Sequence, residues 1–586
     1  MGDPVRGSEG EARSLAKALL GLLLLLAGVA DASRGARGAP VDGAQGGLVG
    51  DTPGESVGDA PRRSPGAEAA ALAAPAPADS QRCPICRSLT IIREPIYRPG
   101  EPAAETLYGR LANALHVTTR EGVVRRGLHF REGQPVCPED LAASLRRLRS
   151  YPFLHSQIEI SGYAPGDSVD LIVRTRDVWT TQVDFQIRKE GGLMTWSVGA
   201  RETNLLGLGK KVSLRLGEDE VQTFWGVGLI DPQLLGRNLW LVAAASGGGE
   251  RRAERLFLER RFEQAATPWG FTLGADRLEG TFVDHRGGLE GPEWDLDFWE
   301  LLARAGGRVT GGRRWALRVS PGVYLAHEVY DEPDAGAPGD LPPLHDWDVR
   351  APGVTFHYVV ERYRQVSGVD AFEHRSDLNL GTELQLFAGY ATPAWGSRGE
   401  GAFFLLEAEQ GVASFRGGFA RFAVLARAEV DDRQLFNTRW ESALRYYQHI
   451  TRRQLLATRL RWDWSRALTP QRILTLGAES GLRGFDAYRF WGERVLLLNL
   501  EDRVTLAEDL WGLISFGLVG FVDAGVAWKA GERERERPRV SVGLGLRLLG
   551  SRTSGRTVTR VDIGFPVLGG GDETDPILSF GAGQAF

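Results

Sequence analysis

Beyond Trp179 the chain alternates, segment after segment, between large apolar residues and small or charged ones, with breaks at Gly, Pro and Asp. In "LLATRLRWDW", Leu456, Thr458, Leu460, Trp462 and Trp464 share one face, and Ala457, Arg459, Arg461 and Asp463 share the other. "KVSLRLG" sets Val212, Leu214 and Leu216 against Ser213 and Arg215. "FARFAVLARAEV" parts Phe422, Val424, Ala426 and Val430 from Arg421, Arg427 and Glu429. A repeat of two is the repeat of a strand. A face rich in arginine and carboxylate must be wet or ion-paired, because a buried lone charge is too costly. A soluble sandwich turns its apolar face inward, whereas a transmembrane barrel turns it to lipid and lines its lumen with polar groups. Residues 181–586 are therefore predicted to form an all-β transmembrane antiparallel barrel.

Upstream, the pattern changes twice. Arg6, Arg13 and Lys17 precede the apolar run "ALLGLLLLLAGVA", and Ala30-Asp31-Ala32 supplies a small-x-small cleavage site. The run is short of the roughly 20 apolar residues a spanning helix needs, so residues 1–32 read as a secretory signal peptide. Residues 33–87 are rich in Ala, Gly and Pro, have no apolar repeat and read as a disordered tether. Its "GESVG" fits G-x-S-x-G by chance, since no strand-to-helix turn is there to expose the serine. Residues 88–180 read as a small α+β unit in the order strand, helix, helix, strand, strand. Thr118 and Glu121 stand at capping-box spacing, and Pro138 opens a helix with Leu141, Leu145 and Leu148 on one face. A hairpin follows, with Val169, Leu171 and Val173 on one side.

Charge and chemistry narrow the picture further. With 70 basic against 75 acidic residues there is no global basic field, so nucleic acid is not expected as a partner. The 75 glycines suit sharply curved sheets rather than helices. There is no H-E-x-x-H; "GLGKK" lacks the spacing of a phosphate loop, and "GLGLRLLG" falls on a strand. No enzyme, no cofactor and no metal are expected.

The end of the chain carries a further mark. "PILSFGAGQAF" places Leu578, Phe580, Ala582 and Phe586 in one phase, broken by Gln584. A terminal aromatic on such a strand, here Phe586 with Phe580, is the signal by which outer-membrane barrels reach their assembly machinery.

Several separated segments together resemble a known family. "VVRRGLHFREGQPVCPEDLAASLRRLRSYPFL" resembles the helical part of a POTRA domain, and "ETNLLGLGKKVSLRL" with "LIDPQLLGRN" resembles early barrel motifs. "GLRGF", "NLEDR", "GFVDAGVAW" and "VGLGLRL" follow in family order. Residues 88–586 thus resemble the POTRA-containing outer-membrane barrels, the bacterial surface antigen superfamily of insertases and two-partner secretion pores. The resemblance implies one periplasmic POTRA domain (88–180) before an outer-membrane barrel (181–586), with a loop at about 465–492 folded into the lumen. In that loop Arg483, Gly484 and Phe485 form the Arg-Gly-aromatic motif. Its arginine is expected to meet Asp523 of the Phe-x-Asp-x-Gly strand, with Glu501 the next candidate. Five strands can be drawn after the loop and up to fifteen before it, so pattern counting allows twenty strands where the resemblance implies sixteen.

The function implied is assistance in inserting and assembling outer-membrane proteins. The alternatives are a secretion pore for a dedicated partner, or a passive channel or anchor. Partners would be unfolded outer-membrane or secreted clients, outer-membrane lipids and accessory periplasmic proteins. Cys83, Cys86 and Cys137 would lie in an oxidising compartment. A bridge from Cys83 or Cys86 to Cys137 is placed first and Cys83 to Cys86 second; either leaves one thiol.

Overall fold

The computed structural model describes residues 83–586, apart from 165–166, 191, 286–292, 332–345, 370–371, 373–374, 415–416, 432–433, 468–473, 511–513, 530–536, 551–557, 570–574 and 583. The signal-peptide pattern, most of the Ala/Gly/Pro-rich stretch and "GESVG" lie outside the described residues.

The N-terminal unit comprises β1 (Ile85–Glu94), α1 (Pro102–Glu105), α2 (Leu107–Leu115), α3 (Glu121–Arg126), α4 (Pro138–Arg149), β2 (Leu154–Ala164) and β3 (Ser168–Asp177). The sheet order is β1-β3-β2, with β1 parallel to β3 and β2 antiparallel to it. Alternation along β3 buries Val169, Leu171 and Val173 against Leu141 and Leu148 of α4 and Val123 and Val124 of α3. Pro138 opens α4, and the Asp140 carboxylate accepts the Cys137 N–H at 3.0 Å. Thr118 does not cap α3. The N-cap is Arg120, and the adjacent Thr119 gives both its N–H and its hydroxyl to Asp177. Helices α1 and α2 are additions to the five-element order read from the pattern.

Cys83 and Cys137 are disulfide-bonded with Cα atoms 4.9 Å apart, and Cys86 is the buried free thiol. Burial, with Glu132 and Asp170 behind it, pushes the Cys86 thiol above its ordinary value and so suppresses the thiolate.

Twenty antiparallel strands then close a barrel. The first ten are β4 (Thr181–Glu190), β5 (Leu193–Glu202), β6 (Lys211–Glu218), β7 (Thr223–Asp231), β8 (Trp240–Gly248), β9 (Arg251–Arg260), β10 (Trp269–Val283), β11 (Glu293–Gly311), β12 (Trp315–Tyr330) and β13 (Trp347–Val360). A hairpin outside the wall, β14 (Tyr363–Ser367) with β15 (Arg375–Asn379), interrupts the series. The wall resumes with β16 (Thr382–Ala391), β17 (Gly401–Ala413), β18 (Phe419–Asp431), β19 (Gln434–Thr451) and β20 (Gln454–Arg466). A long loop carries the short ladder of β21 (Leu474–Leu476) and β22 (Phe490–Gly492). The barrel ends with β23 (Arg494–Leu510), β24 (Ile514–Trp528), β25 (Arg539–Gly550), β26 (Thr559–Leu568) and β27 (Ile577–Ala582). The sixteen strands implied by resemblance are corrected to twenty. Five wall strands follow the loop and fifteen precede it, since the extra alternating segments are full wall strands rather than ornaments.

The wall is inside out. Leu214, Leu216, Leu460, Trp462, Leu496, Leu498 and Leu544 are exposed, while Ala457, Asp463, Asn499, Glu501 and Asp523 on the opposite parity are buried. An apolar belt this extensive requires a membrane, and a closed barrel is the one sheet that satisfies every backbone group there. No helix among the described residues is long and apolar enough to cross.

The N-terminal unit sits against the barrel end where β4 begins. Arg126 donates to the Gln233 side chain at 2.8 Å, and Gln233 donates to the Tyr151 hydroxyl at 2.7 Å. From α4, Arg147 pairs with Glu263, Arg149 with Asp377 at 3.1 Å, and Arg146 stacks over Tyr363. Burial, then Arg147 and Arg146, pushes His129 down to about 4, so it adds no further positive charge at neutral pH.

The strand drawn over 577–586 stops at Ala582. Phe586 leaves the wall and packs with Val366, Val369, Phe419, Tyr447 and Leu455 inside the barrel mouth, its ring 5.3 Å from the Arg503 guanidinium carbon. The break in phase at Gln584 is where the tail turns in: its side chain accepts from Arg547 at 3.2 Å.

Two outcomes test this architecture. The mature chain should fractionate with membranes and shift its mobility on SDS gels when boiled; recovery from a soluble fraction would rule out the barrel. The unreduced, denatured protein should show one reactive thiol, Cys86, and three reactive thiols would refute the Cys83–Cys137 bridge.

Candidate functional site

The loop between β20 and β23 turns into the lumen and packs on its wall. Leu474, Leu476, Leu482 and Phe485 form a buried cluster with Val495 and Leu497 of β23 and Ala527 of β24. Those wall residues share the lumen-facing parity of Asn499 and Asp523, so the strand alternation that points leucines to lipid also prepares an apolar bed for the loop.

Arg483 is the centre of the contact. Its Nε and Nη2 donate to the two Asp523 oxygens, each at 2.8 Å, in the fork geometry that only a guanidinium provides. Its Nη1 donates to Glu501 at 2.6 Å and lies 3.4 Å from Asp562. The guanidinium carbon stands 3.6 Å from the centroid of the Phe521 ring, which closes one face of the plane. Even the backbone is used: the Arg483 N–H donates to Asp523 at 3.2 Å and its carbonyl accepts the Ser541 hydroxyl.

The wall residues form a network of their own. Glu501 also receives Arg503 at 2.8 Å, Asp562 receives Arg547 at 2.5 Å, and Asn499 donates to Asp523 at 2.7 Å. Three buried carboxylates thus face three buried guanidiniums, one of which, Arg483, arrives on the loop. Without Arg483 the wall cations Arg503, Arg547 and Arg560 would still pair with Glu501 and Asp562, but among the described residues Asp523 would keep only the Asn499 amide. Asp523 is what selects a cation at this point, because a buried charge left unpaired is strongly destabilising.

Glycine makes the approach possible. Gly484 has φ +93°, and a Cβ there would stand 2.9 Å from the Ser541 Cβ and 3.2 Å from the Gly564 carbonyl carbon. Gly564 faces it, and a Cβ on that residue would meet the Gly484 nitrogen at 2.7 Å. Loop and strand therefore touch backbone to backbone, which two side chains would prevent.

Of the residues singled out beforehand, Arg483, Gly484, Phe485, Asp523 and Glu501 are brought together, and Arg483 reaches both proposed acids rather than one. Phe580 lies on β27 and Phe586 sits apart, inside the barrel mouth. Asn499, Arg503, Arg547 and Asp562 were missed. Each lies on the lumen parity of its strand, and a charged residue at that parity was the available signal.

Among the described residues, the barrel closes through one ladder pair, Phe580 of β27 with Lys189 of β4. The flanking ladders hold six pairs (β26 with β27) and ten (β4 with β5).

A buried ion-pair network predicts strong coupling. Arg483→Ala strands Asp523 and takes one partner each from Glu501 and Asp562, so it should lower the heat-modifiability midpoint more than Asp523→Ala. Breaking one side of a buried pair costs about 3–5 kcal/mol, less where lumen water reaches it. The double variant should lose less than the sum of the singles. Arg483→Lys should not rescue, since an ammonium cannot span Asp523 and Glu501 together. Strictly additive losses would show that Arg483 and Asp523 do not act as a pair.

No family model and no curated protein matches the chain. Among solved structures, it is similar to BamA from Haemophilus ducreyi lacking POTRA domains 1–3, at 12% identity, with 85% of this chain and 84% of that one covered and a TM-score of 0.36. It is also similar to CdiB from Acinetobacter baumannii (11% identity, 85% and 74% covered, TM-score 0.42) and CdiB from Escherichia coli (14%, 85% and 76%, 0.42). At these scores the likeness is loose, and the barrel stands on its own strand pairing.

Proposed function

We propose that this chain is an outer-membrane barrel of the POTRA superfamily that assists the insertion and assembly of outer-membrane proteins, with residues 88–180 its periplasmic POTRA domain behind a cleaved signal peptide. The observation that carries this reading is the seam. Among the described residues one ladder pair joins β4 and β27, a small barrier beside the ladders around it, so the wall can part there and present two strand edges to lipid. A client strand can pair with such an edge by β-augmentation, and β2, an outer strand of the small sheet, offers a further edge on the periplasmic side. No bond is made or broken covalently. The chemistry is exchange of backbone hydrogen bonds.

The lumen argues against a thread-through pore as the resting arrangement. Loop residues 474–492 fold into it from one end, packed on β23 and β24 with Tyr488 stacked on His285, and Phe586 with Val366 and Val369 packs at the other. A secreted chain would have to displace both.

Depletion of this protein should lower the outer-membrane levels of other barrels several-fold. Lys189→Cys with Phe580→Cys should reproduce that defect when oxidised and lose it on reduction. Normal barrel levels after depletion would end the insertase reading; loss of one secreted protein alone would favour the secretion pore, and no loss a passive channel.

A further inference from the structure

Helix α2 is built the wrong way round for water. Its buried side carries Gly109, Ala112, Asn113 and His116, of which Ala112 packs with Tyr97, Ile96 and Trp179. Asn113 is spent on the backbone of Tyr97, donating to its carbonyl at 2.9 Å and accepting its N–H at 3.1 Å. The opposite side presents Leu107, Leu111 and Leu115, which are 78, 55 and 65% exposed. Spacings of four and eight residues put all three on one stripe. In a domain bathed by water on all sides this arrangement wastes the helix's best apolar residues.

The position of the helix explains the inversion. Its C-terminal end is fastened to the barrel where the wall begins. His116 lies 2.6 Å from Asp177, and Asn204 donates to the Thr119 hydroxyl at 2.8 Å. The Arg120 N–H donates to the Gly207 carbonyl at 2.9 Å, and Arg120 Nε to the Leu206 carbonyl at 3.2 Å. Leu206 belongs to the turn joining β5 to β6, the strands that carry the exposed Val198 and Leu214. It is 58% exposed in a left-handed conformation with φ +54°, a costly geometry for leucine that holds its side chain outward. The turn joining β7 to β8 repeats the device: Leu235 has the same φ of +54° and is 82% exposed. The exposed apolar stripe of α2 thus ends beside the rim from which the strands of the apolar belt rise. Arg110, exposed beside the leucines, matches an anionic headgroup layer.

We propose that α2, together with Leu206 and Leu235, is an amphipathic anchor seated in the periplasm-facing leaflet beside β4, one side of the seam. The occupant of this face is the lipid surface. The proposal rests on the barrel spanning a membrane, and its test separates the two claims. In a Cys86→Ala background, an environment-sensitive fluorophore is placed at Leu111→Cys, with Leu115→Cys as a second site on the stripe. Leu214→Cys reports the barrel belt, and the exposed Ser161→Cys, near the far tip of the β2–β3 hairpin, reports water. The full chain is reconstituted in phosphatidylethanolamine–phosphatidylglycerol vesicles carrying a lipid-borne nitroxide quencher.

An interfacial helix buries its apolar face roughly 5–10 Å deep, so quenching at Leu111 and Leu115 should come within about two-fold of that at Leu214. Ser161 should stay unquenched. Quenching at Leu214 with none at Leu111 and Leu115 would overturn the anchor and leave the barrel standing. No quenching at Leu214 would overturn the spanning barrel itself. Blue-shifted but unquenched labels at both helix sites would show the face covered by protein, a client or the chain's own N-terminal segment, and would equally overturn the lipid assignment.

Discussion

The arrangement of this protein depends on one guanidinium entering a wall of carboxylates. Glu501, Asp523 and Asp562 come from three different strands, and closing the barrel forces them into one buried patch whether or not the patch is neutral. Arg503 and Arg547 supply part of the compensation from the wall itself. Arg560 adds to it at Asp562, but the partner of Asp523 arrives from outside the wall, on a loop. Arg483 therefore couples two things that need not otherwise be coupled: the folding of a loop and the electrostatic completion of the sheet. Phe521 and the facing glycines, Gly484 and Gly564, are consequences of that demand, since a planar cation needs a flat apolar surface on one side and its backbone must come close enough to place it.

The same inside-out logic accounts for what was readable from the chain and what was not. Alternation with arginines on one parity fits a soluble sandwich as well as a barrel; the length of the alternating stretch, behind a signal peptide and without a helical span, favoured the barrel. Counting those segments also reached twenty, and the smaller total came from resemblance, not from the residues. The Arg-Gly-Phe loop and its acids were legible because the motif is unusual, the family resemblance implies its partner, and the acids stand on the two wall strands that follow the loop. Asp562 and Arg547 were harder to see. Each is an ordinary charged residue on an alternating strand, and only the curvature of the wall brings it to Arg483. Helix α2 went unread for a different reason. Its leucines have clear helical spacing, but the segment was short and lay between stronger signals, and its inverted burial depends on where the barrel rim ends.

The tail shows where periodicity misleads. Phe586 is in phase with Phe580, and phase alone extends the strand to the last residue. Phase, however, costs nothing to maintain across a bend. The ring finds better company against Val366, Val369 and the Arg503 guanidinium than it would at the wall edge, where β27 has one partner strand along most of its length.

These interactions distribute stiffness around the barrel unevenly. On one side of the seam, Arg483 clamps β23, β24 and β26 together through Glu501, Asp523 and Asp562. On the other, the N-terminal unit grips the turns after β5 and β7 through Asn204 and Gln233. Between these two braced blocks lie β27 and β4, joined among the described residues by one ladder pair. Displacements of a barrel concentrate where its restraints are fewest, and here both sets of restraints stop just short of the same line. An opening at that line leaves the ion-pair patch and the docked domain intact, so the wall can part without exposing the buried charges that hold the rest of it closed.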